Sequence, residues 1–403
     1  MKKFIPVLIV FFVLLTCHTS AVAGGLYLNE FATPSTGTAG AGAEAWGHDA
    51  STSFHNPAAM TRIDGTEIMG GFMAMFTKNE FELDPSTPVA GGNGGDAGGF
   101  IPAGGLYFVH SLSDQLKIGL STAGLSGAAL DYDSTWAGRR QCQEVDIMVM
   151  YLTPSIGYKV NDTLSLGAGV SLVYGDMELD VAGISPNSQI SLSGDDTEFT
   201  FNLSALIEFS KNTRLGIMYF YKTDLNFEGD ITRTGNVLSG QFASYTELVM
   251  PQTLRAGIYH QLTDTVALLG SVGWEEWSDL ESVNISVRNR TAALPKNWDD
   301  VYHFSVGIHY RISDPWLLQF GIGYASSPVS SKDRTADMPI DRQLRFAIGA
   351  LYDWSKNLSI GGQFEYIDLG SAGINNSNSV NGLIGEYDTN NMIVASISLN
   401  WKW

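Results

Sequence analysis

The chain repeats runs of about ten residues in which every second residue is apolar, and each run ends at a break rich in turn residues. In one run the apolar positions are Leu164, Leu166, Ala168, Val170, Leu172 and Tyr174. Two further runs, 302–310 and 316–325, repeat this arrangement. Aromatic residues recur at the ends of the apolar rows, where a membrane strand crosses the interface. Soluble sandwiches also alternate, so the connections between runs must decide the class.

The connections fall into two kinds that alternate along the chain. Six short polar turns lie near Ser113-Asp114, Asn161-Asp162, Lys211-Asn212, Thr263-Asp264, Ser313-Asp314 and Lys356-Asn357. Seven longer loops separate them, among them 85–99, 127–144, 280–297 and 370–386. This order predicts fourteen strands with both ends on the short-turn side, as in outer-membrane barrels. We therefore predict an all-β fold, a transmembrane antiparallel barrel over 64–403.

The two ends of the chain agree with an exported barrel. Residues 1–23 are typical of a signal peptide, with Lys2 and Lys3, an apolar run over 4–15, and Ala21-Val22-Ala23 before the cleavage site. Cys17 leaves a lipoprotein signal as the alternative. The last strand ends on Trp403 in the apolar phase, which resembles the signal that barrel-assembly machinery recognises.

Composition excludes several classes of function. The net charge of −19 is unsuited to nucleic acid, whose phosphates require clustered Lys and Arg. After export only Cys142 remains, so no internal disulfide and no CxxC site can form. We predict neither a metal nor a cofactor, and the chain has no Gly-Lys-Ser/Thr phosphate loop.

The stretch 24–63 does not follow the strand pattern. Glycine and alanine dominate its middle, so its backbone can approach neighbouring walls closely. A fourteen-strand barrel is too wide for its own side chains to fill. We therefore expect residues 24–63 to form a plug that enters the lumen from the periplasmic side.

Several motifs resemble those of the FadL family of outer-membrane transporters. The hatch of that family is similar to Leu28-Asn29-Glu30-Phe31, the Gly/Ala run, Asp49-Ala50-Ser51 and Asn56-Pro57-Ala58. Downstream, Met250-Pro251, Trp274 and Trp277-Ser278 resemble further landmarks. The resemblance implies passive uptake of long-chain fatty acids, or of aromatic or aliphatic hydrocarbons, across the outer membrane of a Gram-negative bacterium. It also implies a monomer surrounded by outer-membrane lipid and lipopolysaccharide, with both termini in the periplasm.

The resemblance further implies three sites along a ligand path. The hatch would contribute Asn56, Pro57 and Ala58, with Phe31, Leu26 and Tyr27 near the N-terminus, although a purely structural turn is the alternative. An external groove would use Ile184, Ile190 and Leu192 from one loop and Val237 and Leu238 from another. A gap in the wall would lie at Gly124 and Gly127 in strand three, where glycine permits a bulge.

Charged lumen residues are the remaining candidates. Arg255, Lys222 and Arg345 could meet a fatty-acid carboxylate, or form the ion pairs that an acidic barrel needs. His303 and His309 face inward but lie roughly 20 Å apart along a strand, too far for one metal ion. A diffusion porin and an outer-membrane lipase remain as other functions. No GxSxG elbow supports the lipase, and we predict that the protein is not an enzyme.

Overall fold

The fold was analysed in a computed structural model that describes residues 31–185, 187–235, 239–376 and 382–403. It consists mainly of antiparallel strands. Their bounds are β1 (Thr66–Leu83), β2 (Phe100–Ser111), β3 (Leu116–Asp131), β4 (Glu144–Lys159), β5 (Leu164–Ala182), β6 (Gln189–Glu208), β7 (Thr213–Phe220), β8 (Thr223–Thr234), β9 (Gly240–Met250), β10 (Thr253–Gln261), β11 (Val266–Glu275), β12 (Ser282–Val287), β13 (Arg290–Pro295), β14 (Val301–Ser313), β15 (Trp316–Ala325), β16 (Gln343–Asp353), β17 (Leu358–Asp368), β18 (Ile374–Asn375) and β19 (Ile384–Lys402).

These segments form one closed barrel. Short interruptions divide four barrel strands into the pairs β7 and β8, β9 and β10, β11 and β12, and β13 and β14. The two-residue β18 pairs beside β19, and β1 pairs with both β2 and β19, which closes the sheet. In the described part of the chain the barrel therefore has fourteen strands, and the predicted fold is confirmed.

The barrel closes at the rim that carries the short turns. Thr66 N donates to Trp403 O at 3.2 Å, and Trp403 N donates to Thr66 O at 3.0 Å. All six predicted turns join neighbouring strands at this end. Three loop predictions were wrong at the other end, one of them because β19 begins at Ile384, within the predicted loop 370–386. Strand β3 continues to Asp131, so its loop is 132–143, and the predicted loop 280–297 contains the hairpin of β12 and β13.

The predicted alternation is also confirmed. Outward apolar side chains are exposed to the surroundings of the barrel, as shown by Val170 (54%), Ile322 (53%) and Ile397 (51%). Their neighbours along the strands point inward and are small or polar. An apolar surface of this kind, exposed on the outside of a barrel, suits a lipid environment. No helix within the described residues is both long and apolar enough to cross a bilayer.

Residues 31–63, here called the inner segment, fold into four short helical turns. The 3₁₀ turn Pro34–Thr38 packs on β14 to β17, and the helix Ala43–Trp46 packs on β7 and β10. The helix Thr52–His55 and the 3₁₀ turn Pro57–Arg62 pack on β2 to β6. Because these contacts lie on all sides of a closed barrel, the inner segment occupies the lumen.

Left-handed glycines keep these turns short. Gly42 and Gly47 flank the helix Ala43–Trp46 with φ of 73° and 57°. Glycine adopts this conformation without the steric penalty of other residues, so the chain can reverse there. The predicted signal peptide 1–23, with Leu26 and Tyr27, lies outside the described residues.

Candidate ligand path

Asn56, Pro57 and Ala58 join the two halves of the inner segment to the wall. Asn56 Nδ2 donates to Glu44 O at 2.6 Å and to Ala205 O at 3.0 Å. Asn56 Oδ1 accepts from Ala58 N at 3.0 Å, and Pro57 begins the 3₁₀ turn, where its missing N–H is not needed. Every polar atom of the Asn56 amide therefore holds the fold of the segment or its seat on β6.

Inward-facing glycines provide the seats for the inner segment. A Cβ atom added to Gly216 would lie 1.9 Å from Glu44 O, and one added to Gly157 would lie 2.4 Å from Pro57 O. A Cβ at Gly167 would lie 2.3 Å from Ala58 N. No side chain fits at these distances, so glycine in the wall lets two backbones touch.

A buried glutamate and a buried arginine hold the middle of the segment. Glu44 Oε2 accepts from Ser271 Oγ at 2.7 Å. Burial raises the pKa of Glu44 above its usual value, although Arg255 and the Ser271 hydroxyl oppose this shift. Arg214 donates to Ala45 O at 2.5 Å and to Trp46 O at 2.6 Å, the carbonyls at the end of a helix.

Aromatic rings continue from the inner segment to the wall. The Phe31 ring lies 4.8 Å from that of Phe54, and Phe54 lies 5.7 Å from Phe220. Tyr151 is 6.4 Å from Phe220, and Tyr107 Oη donates to Phe31 O at 2.5 Å. The predicted site residue Phe31 is thus part of an apolar cluster that includes Phe54, two residues before Asn56.

The wall is interrupted between β2 and β3. Their pairing begins at Lys117 with Ser111 and ends at Thr122 with Leu106, although β3 continues to Asp131. Thr122 Oγ1 accepts from Leu106 N at 3.1 Å at this last pair. Toward β4 the register shifts between Gly124 and Ser126, which marks a β-bulge. Both predicted residues, Gly124 and Gly127, therefore lie on the part of β3 that β2 leaves unpaired.

The described residues of the predicted external groove lie in different surroundings. Ile184 lies in a loop and is 81% exposed, whereas Ile190 and Leu192 belong to strand β6 rather than to a loop, which corrects that prediction. Leu192 is buried in the apolar core of the outer end, and Ile190 packs against that core. The predicted groove residues Val237 and Leu238 lie outside the described residues.

The predicted lumen charges are neutralised by neighbours. Arg255 Nη2 lies 3.1 Å from Glu275 Oε1, and His303 Nε2 lies 2.8 Å from the same oxygen. Arg345 Nη2 donates to Gln343 Oε1 at 2.6 Å, and Arg345 Nη1 lies 3.8 Å from Glu365.

Lys222 and His309, two further residues singled out from the sequence, also have polar partners. The prediction that Lys222 lies on a strand was wrong: it sits in the break between β7 and β8, and its Nζ donates to Asp279 at 3.0 Å. His309 bonds Gln319 at 3.1 Å. Among the described residues no group of three or more His, Cys, Asp or Glu could hold a metal ion.

Sequence reasoning missed a cap over the outer end of the barrel. Tyr132 Oη bonds Tyr387 Oη at 2.5 Å and donates to Ala336 O at 2.9 Å, while its ring stacks on Trp136 at 4.0 Å. Arg334 donates to Ile340 O, Gly373 O and Val329 O from a position that is 3% exposed. Loop residues with buried aromatic and arginine side chains carried this signal, but sequence alone does not tell which loops meet.

The fold and the filled lumen define an outer-membrane β-barrel with an internal segment and an interrupted wall. Residues 14–401 match the family described as "Outer membrane protein transport protein (OMPP1/FadL/TodX)", so the chain belongs to that family.

Among curated relatives, the long-chain fatty acid transport protein of Escherichia coli K12 is 25% identical over 89% of this chain and 90% of its own length. Outer membrane protein P1 of Haemophilus influenzae is 26% identical over 91% of this chain and 90% of its own length.

Solved structures share the same fold. A Pseudomonas aeruginosa FadL homologue matches with a TM-score of 0.85 and 22% identity, covering 95% of this chain and all of the other. The toluene transporter TodX of Pseudomonas putida matches with a TM-score of 0.73 and 18% identity, covering 96% of this chain and 99% of the other. These likenesses support the barrel architecture, and the family match confirms the outer-membrane location predicted from the sequence.

Proposed function

We propose that the protein takes up hydrophobic small molecules passively across the outer membrane, with long-chain fatty acids as the main substrates. The interruption between β2 and β3 carries this proposal, because it offers a sideways exit next to the aromatic cluster of the inner segment. The fatty-acid transport protein of Escherichia coli, similar over most of its length, supports the same substrate class.

The physical problem explains why a side exit is useful. Burial of one CH₂ group is worth about 0.8 kcal/mol, so a sixteen-carbon chain resists transfer into water by roughly 12 kcal/mol. A water-filled pore cannot lower that cost. A path lined by apolar side chains, ending in the hydrocarbon layer, keeps most of the chain out of water throughout.

The proposed path has three parts. Ligands meet the outer end of the barrel near Ile184, pass to a pocket beside Phe31 and Asn56 at residues 24–63, which act as a hatch, and leave sideways at Gly124 to Gly127. Movement needs no energy source and no chemical step, so the protein is a carrier and not an enzyme. A monomer suffices, since hatch, pocket and exit belong to one chain.

The bulge in β3 offers a direct test. Deletion of Leu125 removes the extra residue and makes the register of β3 with β4 continuous, because the pairs Gly124–Met150 and Ser126–Val149 then follow one another. The matched control Leu125→Ala keeps the residue count and therefore the bulge. Uptake of a radiolabelled sixteen-carbon fatty acid would be followed in cells that lack their own transporter.

We expect the deletion to abolish uptake and the alanine control to retain it. Unchanged uptake by a deletion variant that still migrates as a folded barrel would overturn the side exit. Steady single-channel conductance in planar bilayers, with no preference for apolar solutes, would instead indicate a porin.

Aromatic hydrocarbons are the second candidate substrate. The rings of Phe31, Phe54, Phe220 and Tyr151 form the apolar cluster in the lumen, and such rings favour offset or edge-to-face contact with another ring. The structural relative TodX is a toluene transporter. Competition between toluene and the labelled fatty acid would decide between the two substrate classes. If both bind the same cluster, each should inhibit uptake of the other, and the stronger inhibitor is the preferred substrate.

A further inference from the structure

The wall contains a second interruption, between β6 and the barrel strand made of β7 and β8. Regular pairing ends at Asn202 with Phe220 and resumes at Asp195 with Glu228. Between these two points, residues 221–227 face residues 196–201 over about 20 Å of strand, so the side of β7 and β8 has one residue more than the side of β6. The region is fully described, and we call it the seam.

One backbone hydrogen bond, from Tyr221 N to Phe201 O at 3.0 Å, remains at the lower end of the seam, and side chains hold the rest of the seam closed. Thr200 Oγ1 donates to the carbonyl oxygens of Tyr221 and Lys222, at 2.9 Å and 3.1 Å. Asn226 N donates to the Asp196 carboxylate at 2.7 Å. Side-chain hydrogen bonds part with a rotamer change, whereas a ladder must lose several main-chain bonds together. The seam is therefore the part of this wall that separates most easily.

Apolar rings lie on both sides of the seam. Outside, Phe199 is 70% exposed, and Phe201 stacks on Tyr221 with ring centroids 5.1 Å apart. Inside, Phe220 lies at the lower end of the seam and belongs to the aromatic cluster through Phe54. The lipid side of the seam and its lumen end are therefore both apolar.

Asn202 places an unused polar group at the inner end. It is 1% exposed, and neither its Nδ2 nor its Oδ1 has a hydrogen-bond partner. Buried amide groups are normally bonded, and an orphan costs about 1–3 kcal/mol. Because Asn202 is paired with Phe220 across the strands, its amide lies beside the apolar cluster, where one donor and one acceptor could bind a hydroxyl group.

The charges along the seam select the head group that can pass. Its edges carry the carboxylates of Asp195, Asp196, Glu198, Asp224 and Glu228. The cation of Lys222 is paired with Asp279 at 3.0 Å and lies 3.9 Å from Asp224. An anionic head group would be repelled here, and an uncharged one would not.

We propose that the seam is a second lateral opening, by which uncharged amphipathic molecules such as long-chain alcohols enter from the outer leaflet, and that Asn202 binds their hydroxyl group. This inference rests on the proposed uptake of hydrophobic molecules, to which it adds an entrance and a substrate class. Fatty-acid anions enter through the outer end of the barrel and do not use the seam.

A cross-link across the seam tests the opening. Thr197→Cys with Asn226→Cys places two exposed thiols on opposite edges, to be joined by a cleavable bifunctional thiol reagent. The native Cys142 is fully buried and does not compete. The matched control is Leu203→Cys with Tyr219→Cys, a registered pair of the same two strands in the regular ladder below the seam.

Uptake of a sixteen-carbon alcohol and of the sixteen-carbon acid into vesicles that contain the protein would be measured in parallel, before and after cleavage of the linker. We expect the seam cross-link to abolish alcohol uptake reversibly and to leave acid uptake unchanged, while the control cross-link affects neither. Unchanged alcohol uptake, or equal inhibition of both compounds, would overturn the seam as a selective entrance. If the unmodified protein transports neither compound above protein-free vesicles, the proposed function itself fails.

A second variant tests the role of Asn202 independently of the cross-link. Asn202→Leu keeps the branched shape of the side chain and removes the amide, so we expect alcohol uptake to fall about fivefold, the value of one neutral hydrogen bond. Uptake of the acid and of the matching alkane should not change. An equal loss for all three compounds would assign Asn202 a packing role and refute hydroxyl binding.

Discussion

Arg214 gives the sharpest prediction for the stability of the inner segment. Its guanidinium donates to Ala45 O and Trp46 O and lies 3.8 Å from the centre of the Tyr259 ring. In Arg214→Met the two carbonyls keep their burial and lose their donors, at about 1–3 kcal/mol each. The lost contact with the ring adds about 1 kcal/mol, so the seated segment should be destabilised by roughly 3–7 kcal/mol.

Hydrogen exchange measures this loss directly. If the segment exchanges by local opening, a loss of this size accelerates exchange of the amides of 43–46 by about two to five orders of magnitude. The control is Arg62→Met, because Arg62 is partly exposed and pairs with Glu208 at the periplasmic rim, where such a pair is worth under about 1 kcal/mol. Exchange in Arg214→Met within threefold of the control would refute the argument that Arg214 anchors the segment.

The remaining predictions concern the seats, the histidines and the cap. Gly216→Val should unseat the inner segment, since even its Cβ would overlap Glu44 O. Gly362→Ala should be neutral, because no atom outside its chain neighbours lies within 4 Å of the added Cβ. Hydrogen exchange of the amides of 43–46 compares the two variants. Burial lowers the pKa of His55 to about 3, so His55 stabilises the seated state above its ordinary pKa of 6.5, and this contribution is lost as pH falls toward 3. Hydrogen exchange of the inner segment in the wild type should therefore become faster relative to His55→Gln below pH 6.5. Parallel pH profiles of the two proteins would contradict this. Arg334→Met should expose the outer loops 326–342 to external protease, while Lys332→Met, whose side chain is 78% exposed, should not.

Sequence periodicity predicted the barrel because membrane strands must alternate between lipid and lumen. Val170 and Ile322 lie outward, as their phase required, and Thr66 and Trp403 meet at the rim that the short turns indicated. Loop ends were less accurate, since strands such as β3 extend beyond the membrane, where alternation between lipid and lumen no longer applies.

The site was predictable only in part. Asn56 and Phe31 were marked by a resemblance, and Gly124 by the freedom of glycine to form a bulge. Partners distant in sequence could not be inferred, and so the bonds of Asn56 to Ala205 and of Arg214 to Ala45 emerged only from the fold. The seam could not be predicted from the sequence, because β6 itself is continuous there. Its pairing is lost because the partner strand is interrupted between β7 and β8.

The closure of the barrel at Thr66 and Trp403 sets the order of assembly. The inner segment precedes β1 directly, and Ala50 N reaches Asn400 Oδ1 on β19 at 3.5 Å, across 350 residues of chain. Contacts of such separation form late, since a long loop must first be closed. When the last strand pairs with β1, it therefore closes the wall and forms the contact between Asn400 and the inner segment in the same step. A nascent barrel that lacks β19 holds its inner segment less completely than the finished protein does.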